Sequence, residues 1–221
     1  MLVVDSLTHA FGENHVLRGV YLRVEPGEVV GVVGLNGCGK TTMLRAILGT
    51  LRVDQMHMTI ADELVDRAYR RGVVSYLPQD PYLPRRMRVG RVLSLALPSP
   101  RSRYRVRDDA RVAPNLGKRV SALSGGEQRY LEVLLAACFP SRFALLDEPF
   151  TEIEPIHRDP LRESIRATAR EHERGFIITD HAYRDVLATA DRVLVLAGGE
   201  LRRADGEEDL RRWGYTPGGR P

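Results

Sequence analysis

Cysteine, aromatic residues and long apolar runs are all scarce in this 221-residue chain. Cys38 and Cys138 are the only thiols, they lie far apart, and no Cys-x-x-Cys pair occurs. That excludes a disulfide framework and a cysteine zinc site, and it suits a reducing compartment. Aromatics make up 6% of the residues, with one tryptophan, too few for a base-stacking platform. No apolar run approaches the ~18–20 residues of a membrane span, and the first residues lack a charged-then-apolar secretion pattern. A cytoplasmic chain that meets a membrane only through a partner is expected. No charge sign dominates, since 33 basic residues against 29 acidic leave +4. Arginines cluster at 85, 86, 88 and 91, and again at 101, 103, 105 and 107. Without interleaved aromatics they read as a solvated face, and no nucleic-acid partner is expected.

The chain does have an ordinary globular balance, 43% hydrophobic and 28% charged, enough for one domain with a substantial core. Leu2–Val4 and Val16–Val24 read as strands, and Pro26-Gly27-Glu28 as a turn. Val29–Val33, Val73–Leu77, Phe143–Leu146 and Phe176–Thr179 are short apolar runs, which suit strands buried on both faces of a parallel sheet. Thr41–Leu48 has helical spacing and stops at Gly49. Residues 84–118 are rich in Arg and Pro, hold one clear helical stretch at Val89–Leu97, and read as a small lobe. Ser124 opens another helix. Val193–Leu196 turns through Gly198-Gly199 into a hairpin, and a helix is expected around Glu207–Trp213. Strands alternate with helices without repeats, so the class is α/β.

Gly34-Leu35-Asn36-Gly37-Cys38-Gly39-Lys40-Thr41-Thr42 fits G-x-x-x-x-G-K-[ST] between a buried strand and a helix. Such a loop turns backbone N–H groups onto phosphate oxygens at a helix N-terminus. Lys40 then reaches the β- and γ-phosphates, the Thr41 hydroxyl ligates Mg²⁺, and Cys38 is a small spacer. Asp147 and Glu148 follow a buried strand, at the edge of the sheet where open α/β folds bind ligands. Asp147 is the candidate Mg²⁺ carboxylate, and Glu148 the acceptor for an attacking water. Ser124-Gly125-Gly126-Glu127 is a capping box, but two glycines weaken a helix. Close approach of a phosphate to the helix N-terminus would account for them.

Together with Leu123, that run resembles the signature of the ATP-binding cassette (ABC) family, and the likeness extends over nearly the whole chain. It implies a P-loop NTPase of ABC type, with an N-terminal antiparallel β subdomain and a small helical subdomain. The expected division is residues 1–83 with 140–221 as nucleotide-binding core, and 84–139 as the helical and signature lobe. The resemblance implies that Glu148 is the catalytic glutamate and that Gln79 is the Q-loop residue touching Mg²⁺ or the lytic water. His181 matches the switch histidine, Phe11 the aromatic that stacks on adenine, and Ser124–Glu127 the surface that binds a γ-phosphate held by another subunit.

Each motif occurs once, so the resemblance implies a head-to-tail dimer with a second copy or a paralogous cassette. Its expected cofactors are ATP and Mg²⁺, and its expected partner is an integral-membrane permease on the cytoplasmic face. A soluble ABC ATPase of an assembly machine, resembling those of iron–sulfur biogenesis, is the alternative. Two departures stand out. Glu154 replaces the aspartate usual in the loop after Glu148, and Glu127 replaces the commoner glutamine. The interval from Gln79 to Ser124 is 45 residues, short for the family's lobe, which leaves the substrate open.

Overall fold

A computed structural model describes residues 1–181, 183–204 and 206–212. Trp213, where the last expected helix was to end, lies outside the described residues. In chain order the first elements are β1 (Leu2–Phe11), β2 (Asn14–Val24), β3 (Val29–Val33), α1 (Lys40–Leu48), β4 (Gln55–Ile60), β5 (Glu63–Leu64) and β6 (Val74–Leu77). Next come α2 (Val89–Ala96), α3 (Pro100–Arg107), α4 (Gly125–Cys138), β7 (Phe143–Asp147), α5 (Pro155–Glu171) and β8 (Gly175–Asp180). The last are α6 (Tyr183–Thr189), β9 (Arg192–Ala197), β10 (Glu200–Ala204) and α7 (Glu207–Arg212).

Two sheets form. One is antiparallel, in the order β2-β1-β4-β5, and the other runs β10-β9-β3-β8-β7-β6. From β9 to β6 its neighbours are parallel, and β10 closes one edge antiparallel. β3, β7 and β8 are buried at every residue, as their unbroken apolar runs require.

α1 fills the space between the sheets. Met43, Leu44 and Ile47 share one buried core with Leu2, Val4 and Leu17 of the antiparallel sheet and Val30, Val32 and Leu145 of the parallel sheet. The opposite face of the parallel sheet carries α4 and α5. Its core continues outward without a break into Val89, Val92, Leu93 and Val106 of α2 and α3.

The Arg-rich segment holds two helices where one was expected. α3 begins with Ser99 as N-cap and Pro100 in its first turn, and only Val106 is buried. A single apolar residue leaves no helical period to read, although the Ser-Pro start is itself a helix signal. β4 was also not foreseen, because Gln55–Ile60 mixes polar and apolar residues against β1.

α4 stops at a buried guanidinium. Arg174, 3% exposed, donates to the carbonyls of Ala136 and Ala137 and to the hydroxyls of Ser75 and Ser141. These donations satisfy carbonyls that a helix end leaves open. Burial lowers the Arg174 pKa to about 10, so it stays charged at neutral pH.

Candidate functional site

Three segments meet at the carboxyl edge of the parallel sheet. β3 runs into the Gly34–Gly39 loop, and α1 starts directly after it. Gly39 is the N-cap at φ 110°, no side chain caps the helix, and its first turn holds no acid. That end therefore presents bare N–H groups and an uncompensated positive dipole end. Lys40 is 6% exposed, and its Nζ donates to the carbonyls of Gly34 at 2.6 Å and Leu35 at 3.2 Å. An ammonium folded onto its own loop is ready to exchange those carbonyls for phosphate oxygens. Asn36 and Gly37 are exposed, whereas Cys38, Thr41 and Thr42 are half-buried. Burial pushes the Cys38 thiol up, against the opposing pull of Lys40.

The antiparallel sheet touches this loop. A Cβ on Gly39 would lie 2.7 Å from Cγ1 of Val16, and the same β1–β2 hairpin carries Phe11. Phe11 is 54% exposed and stands edge-on to His9, with ring centroids 4.5 Å apart.

Asp147 ends β7 fully buried. Its Oδ1 accepts from the Thr179 hydroxyl at 2.7 Å and its Oδ2 from the Tyr76 hydroxyl at 3.2 Å. Burial and the charge of Asp147 raise the Tyr76 pKa to about 12, which keeps that hydroxyl a donor. Glu148 sits at φ 50°, in the left-handed region that side chains other than glycine seldom adopt. Its N–H donates to the Thr179 carbonyl at 2.7 Å, which fixes the turn.

Three side chains converge on a single oxygen, Oε2 of Glu148. Gln79 Nε2 donates to it at 3.2 Å, the Thr151 hydroxyl approaches at 3.4 Å, and His181 Nδ1 lies 3.6 Å away. These residues come from the ends of β6, β7 and β8, which are neighbours in the sheet. Motifs far apart in sequence thus share one carboxylate.

The signature residues face elsewhere in their own chain. Ser124 Oγ accepts from Glu127 N at 3.1 Å, and Glu127 Oε2 accepts from Ser124 N at 2.8 Å, which completes the capping box. Asn115 Nδ2 donates to the other oxygen, at 3.3 Å. The Ser124 N–H holds the Glu127 carboxyl below its usual range. Gly125 and Gly126 pack against Glu152, in the loop that follows Glu148. The glycines therefore already have a role inside the chain, namely to admit that loop.

A family model described as ABC transporter matches residues 17–151. The chain belongs to the ABC transporter family. The lipopolysaccharide export system ATP-binding protein of Haemophilus influenzae is 32% identical, across 91% of this chain and 88% of that one. A putative ABC transporter ATP-binding protein of Halobacterium salinarum is 33% identical, across 96% and 95%. Among solved structures, the ATP-binding subunit of an ABC transporter superposes with a TM-score of 0.80 at 22% identity, covering 97% of this chain and 94% of that chain. A dimeric bacterial ABC transporter cassette gives 0.79 at 18%, covering 92% and 97%. The fold is thus the mixed α/β ABC cassette, and the chain is an ATP-binding subunit whose ATP hydrolysis is coupled to transport.

Within this ABC cassette, one residue that motif reading passes over ties the segments together. Arg129, one turn into α4 and 5% exposed, donates to the Pro78 carbonyl at 2.7 Å, the Asp147 carbonyl at 2.5 Å and the Glu148 carbonyl at 3.0 Å. The signature helix thereby holds the backbone on either side of Gln79 and Glu148. Its position beside the signature was the only hint the sequence offered. The donor set also fits a magnesium nucleotide. Thr41 hydroxyl, Asp147 carboxylate and Gln79 amide oxygen are hard ligands, and no metal cage of three or more His, Cys, Asp or Glu occurs among the described residues. Mg²⁺ typically binds this way, through one or two protein oxygens together with nucleotide phosphates and water.

Proposed function

We propose that two copies of this cassette, or one copy and a paralogue, close head to tail around ATP and drive an integral-membrane permease from the cytoplasmic side. The convergence of Gln79, Thr151 and His181 on Oε2 of Glu148 carries this reading. A carboxylate so held is oriented to accept a proton from a water attacking the γ-phosphate. Lys40 and the loop residues Gly34, Asn36, Gly37, Cys38, Gly39, Thr41 and Thr42 cradle the phosphates, and Phe11 stacks on the base. Thr41, Asp147 and Gln79 hold Mg²⁺, which offsets phosphate charge when bound. Ser124, Gly125, Gly126 and Glu127 of the partner cassette then close over the γ-phosphate.

We seat the permease beside β6. A cleft of about 330 Å³ is lined by Tyr69, Tyr76, Tyr82, Ala96 and Phe139, with Tyr69 and Tyr82 exposed. β6 leads straight into Gln79, so a partner seated there would feel whether Gln79 holds Glu148. We place the nucleotide-binding core at 1–83 and 140–221 and the lobe at 84–139. No helix among the described residues is long and apolar enough to cross a membrane. Relatives named for lipopolysaccharide export and for Fe³⁺ import are 32% and 33% identical, so similarity does not select a substrate.

The test is Glu148→Gln. Hydrolysis should fall by about 10²–10⁴-fold while ATP binding persists, and light scattering should show an ATP-dependent dimer. A variant that binds ATP and stays monomeric at every concentration defeats the sandwich.

A further inference from the structure

The positive end of the signature helix already has an anion beside it. A Cβ built on Gly125 would lie 2.7 Å from Oε2 of Glu152, and one on Gly126 would lie 2.7 Å from the Glu152 carbonyl oxygen. Glu152 adopts φ 64°, a conformation natural to glycine or asparagine. An acid held there at a conformational cost, with its carboxylate turned onto Gly125, is not explained by loop geometry alone. The capping box uses the N–H groups of Ser124 and Glu127, which leaves those of Gly125 and Gly126 as the donors facing an incoming phosphate. Two carboxylates, Glu127 and Glu152, thus stand at the first turn of α4 before any nucleotide arrives. Glu127 is tied down by Ser124 and Asn115. Glu152 is exposed and has room to leave.

We propose that Glu152 is a built-in competitor for the γ-phosphate at the signature, and that it sets the ATP concentration at which two cassettes close. The inference rests on the sandwich dimer proposed above. In the open chain the Glu152 carboxylate stands against Gly125, and its backbone carbonyl stands against Gly126. Closure brings the partner's γ-phosphate to the same place, so Glu152 must swing into solvent or the two negative charges must coexist. Either outcome disfavours closure at low ATP.

The experiment uses the full chain in the Glu148→Gln background, titrating ATP and reading the dimer fraction by light scattering. Glu152→Gln and Glu152→Ala should each lower the half-saturating ATP about fivefold, the factor for a unit like charge at about 4 Å through water. Glu152→Asp keeps the charge but shortens its reach, and should fall between. Added salt should lower the half-saturating ATP of the parent and leave Glu152→Gln little changed. Nucleotide binding to monomers at low protein concentration should match the parent in all variants, which separates the signature end from the P-loop. Half-saturation that stays the same on neutralising Glu152, or that rises, overturns the proposal; a rise would mean that Glu152 bonds across the interface. A parent that never dimerises defeats the sandwich and this inference together, whereas a dimer indifferent to residue 152 defeats this inference alone.

Discussion

Two glycine-rich helix N-termini meet phosphate in the proposed function, and they are built in opposite ways. The α1 end has no side-chain cap, no acid in its first turn and a lysine folded onto its loop. The α4 end has a closed capping box and two carboxylates, Glu127 and Glu152, beside its glycines. The first holds its donors open for an anion and supplies a cation as well. The second has its needs largely met within the chain. A site of the first kind binds nucleotide unaided, whereas the second suits a phosphate that another subunit has already fixed. In the proposed sandwich the same local geometry would serve capture at one end and conditional closure at the other.

The comparison breaks most severely at Lys40. Lys40→Ala should abolish nucleotide binding in equilibrium titrations, a loss of at least about 100-fold, with melting of the ligand-free chain little changed; retained affinity would mean the α1 end does not depend on its cation. Next comes Arg129→Ala, which strips three carbonyls of a donor and leaves Glu132 buried without its cation. It should cost about 3–5 kcal/mol in chemical denaturation, with Arg129→Lys recovering part of the stability. Gly126→Ala should destabilise the chain by about 1–3 kcal/mol even without nucleotide, since its Cβ would meet the Glu152 backbone. If stability were unchanged and only dimerisation suffered, the glycine would serve the phosphate alone.

The smallest effect belongs to Glu127→Gln, because glutamine still closes a capping box. Glu127 has its pKa lowered by the Ser124 N–H, so its contribution is present above the ordinary carboxylate range near pH 4.5 and disappears as pH falls through the lowered value. The parent's advantage should be under about 1 kcal/mol at pH 7 and should shrink in melts as the pH is lowered below the ordinary carboxylate range.

The parallel strands were legible because burial on both faces writes them as unbroken apolar runs, as in Val29–Val33 and Phe176–Thr179. The P-loop and the Asp147-Glu148 pair were legible because fixed backbone shapes demand fixed residue types. α3 was not, since only one of its eight residues is buried, which gives no period. The meeting of Gln79, Thr151 and His181 at one oxygen depends on the order of β6, β7 and β8 in the sheet, which no local spacing encodes. Arg129 acts through carbonyls 51, 18 and 19 positions away, and Glu152 through contact with a helix that precedes it. Such roles exist only once the chain is folded.

The three carbonyls held by Arg129 also limit how the molecule works as a machine. α4 is 14 residues long, a rod of about 21 Å. Tilting it by about 5° swings one end by about 2 Å relative to the other. Because the guanidinium grips the backbone beside Gln79 and at Glu148, such a tilt drags on the proton acceptor as it moves the signature. Force applied to the lobe and chemistry at the sheet edge would then run through one gear, and loosening that grip should put the two out of step.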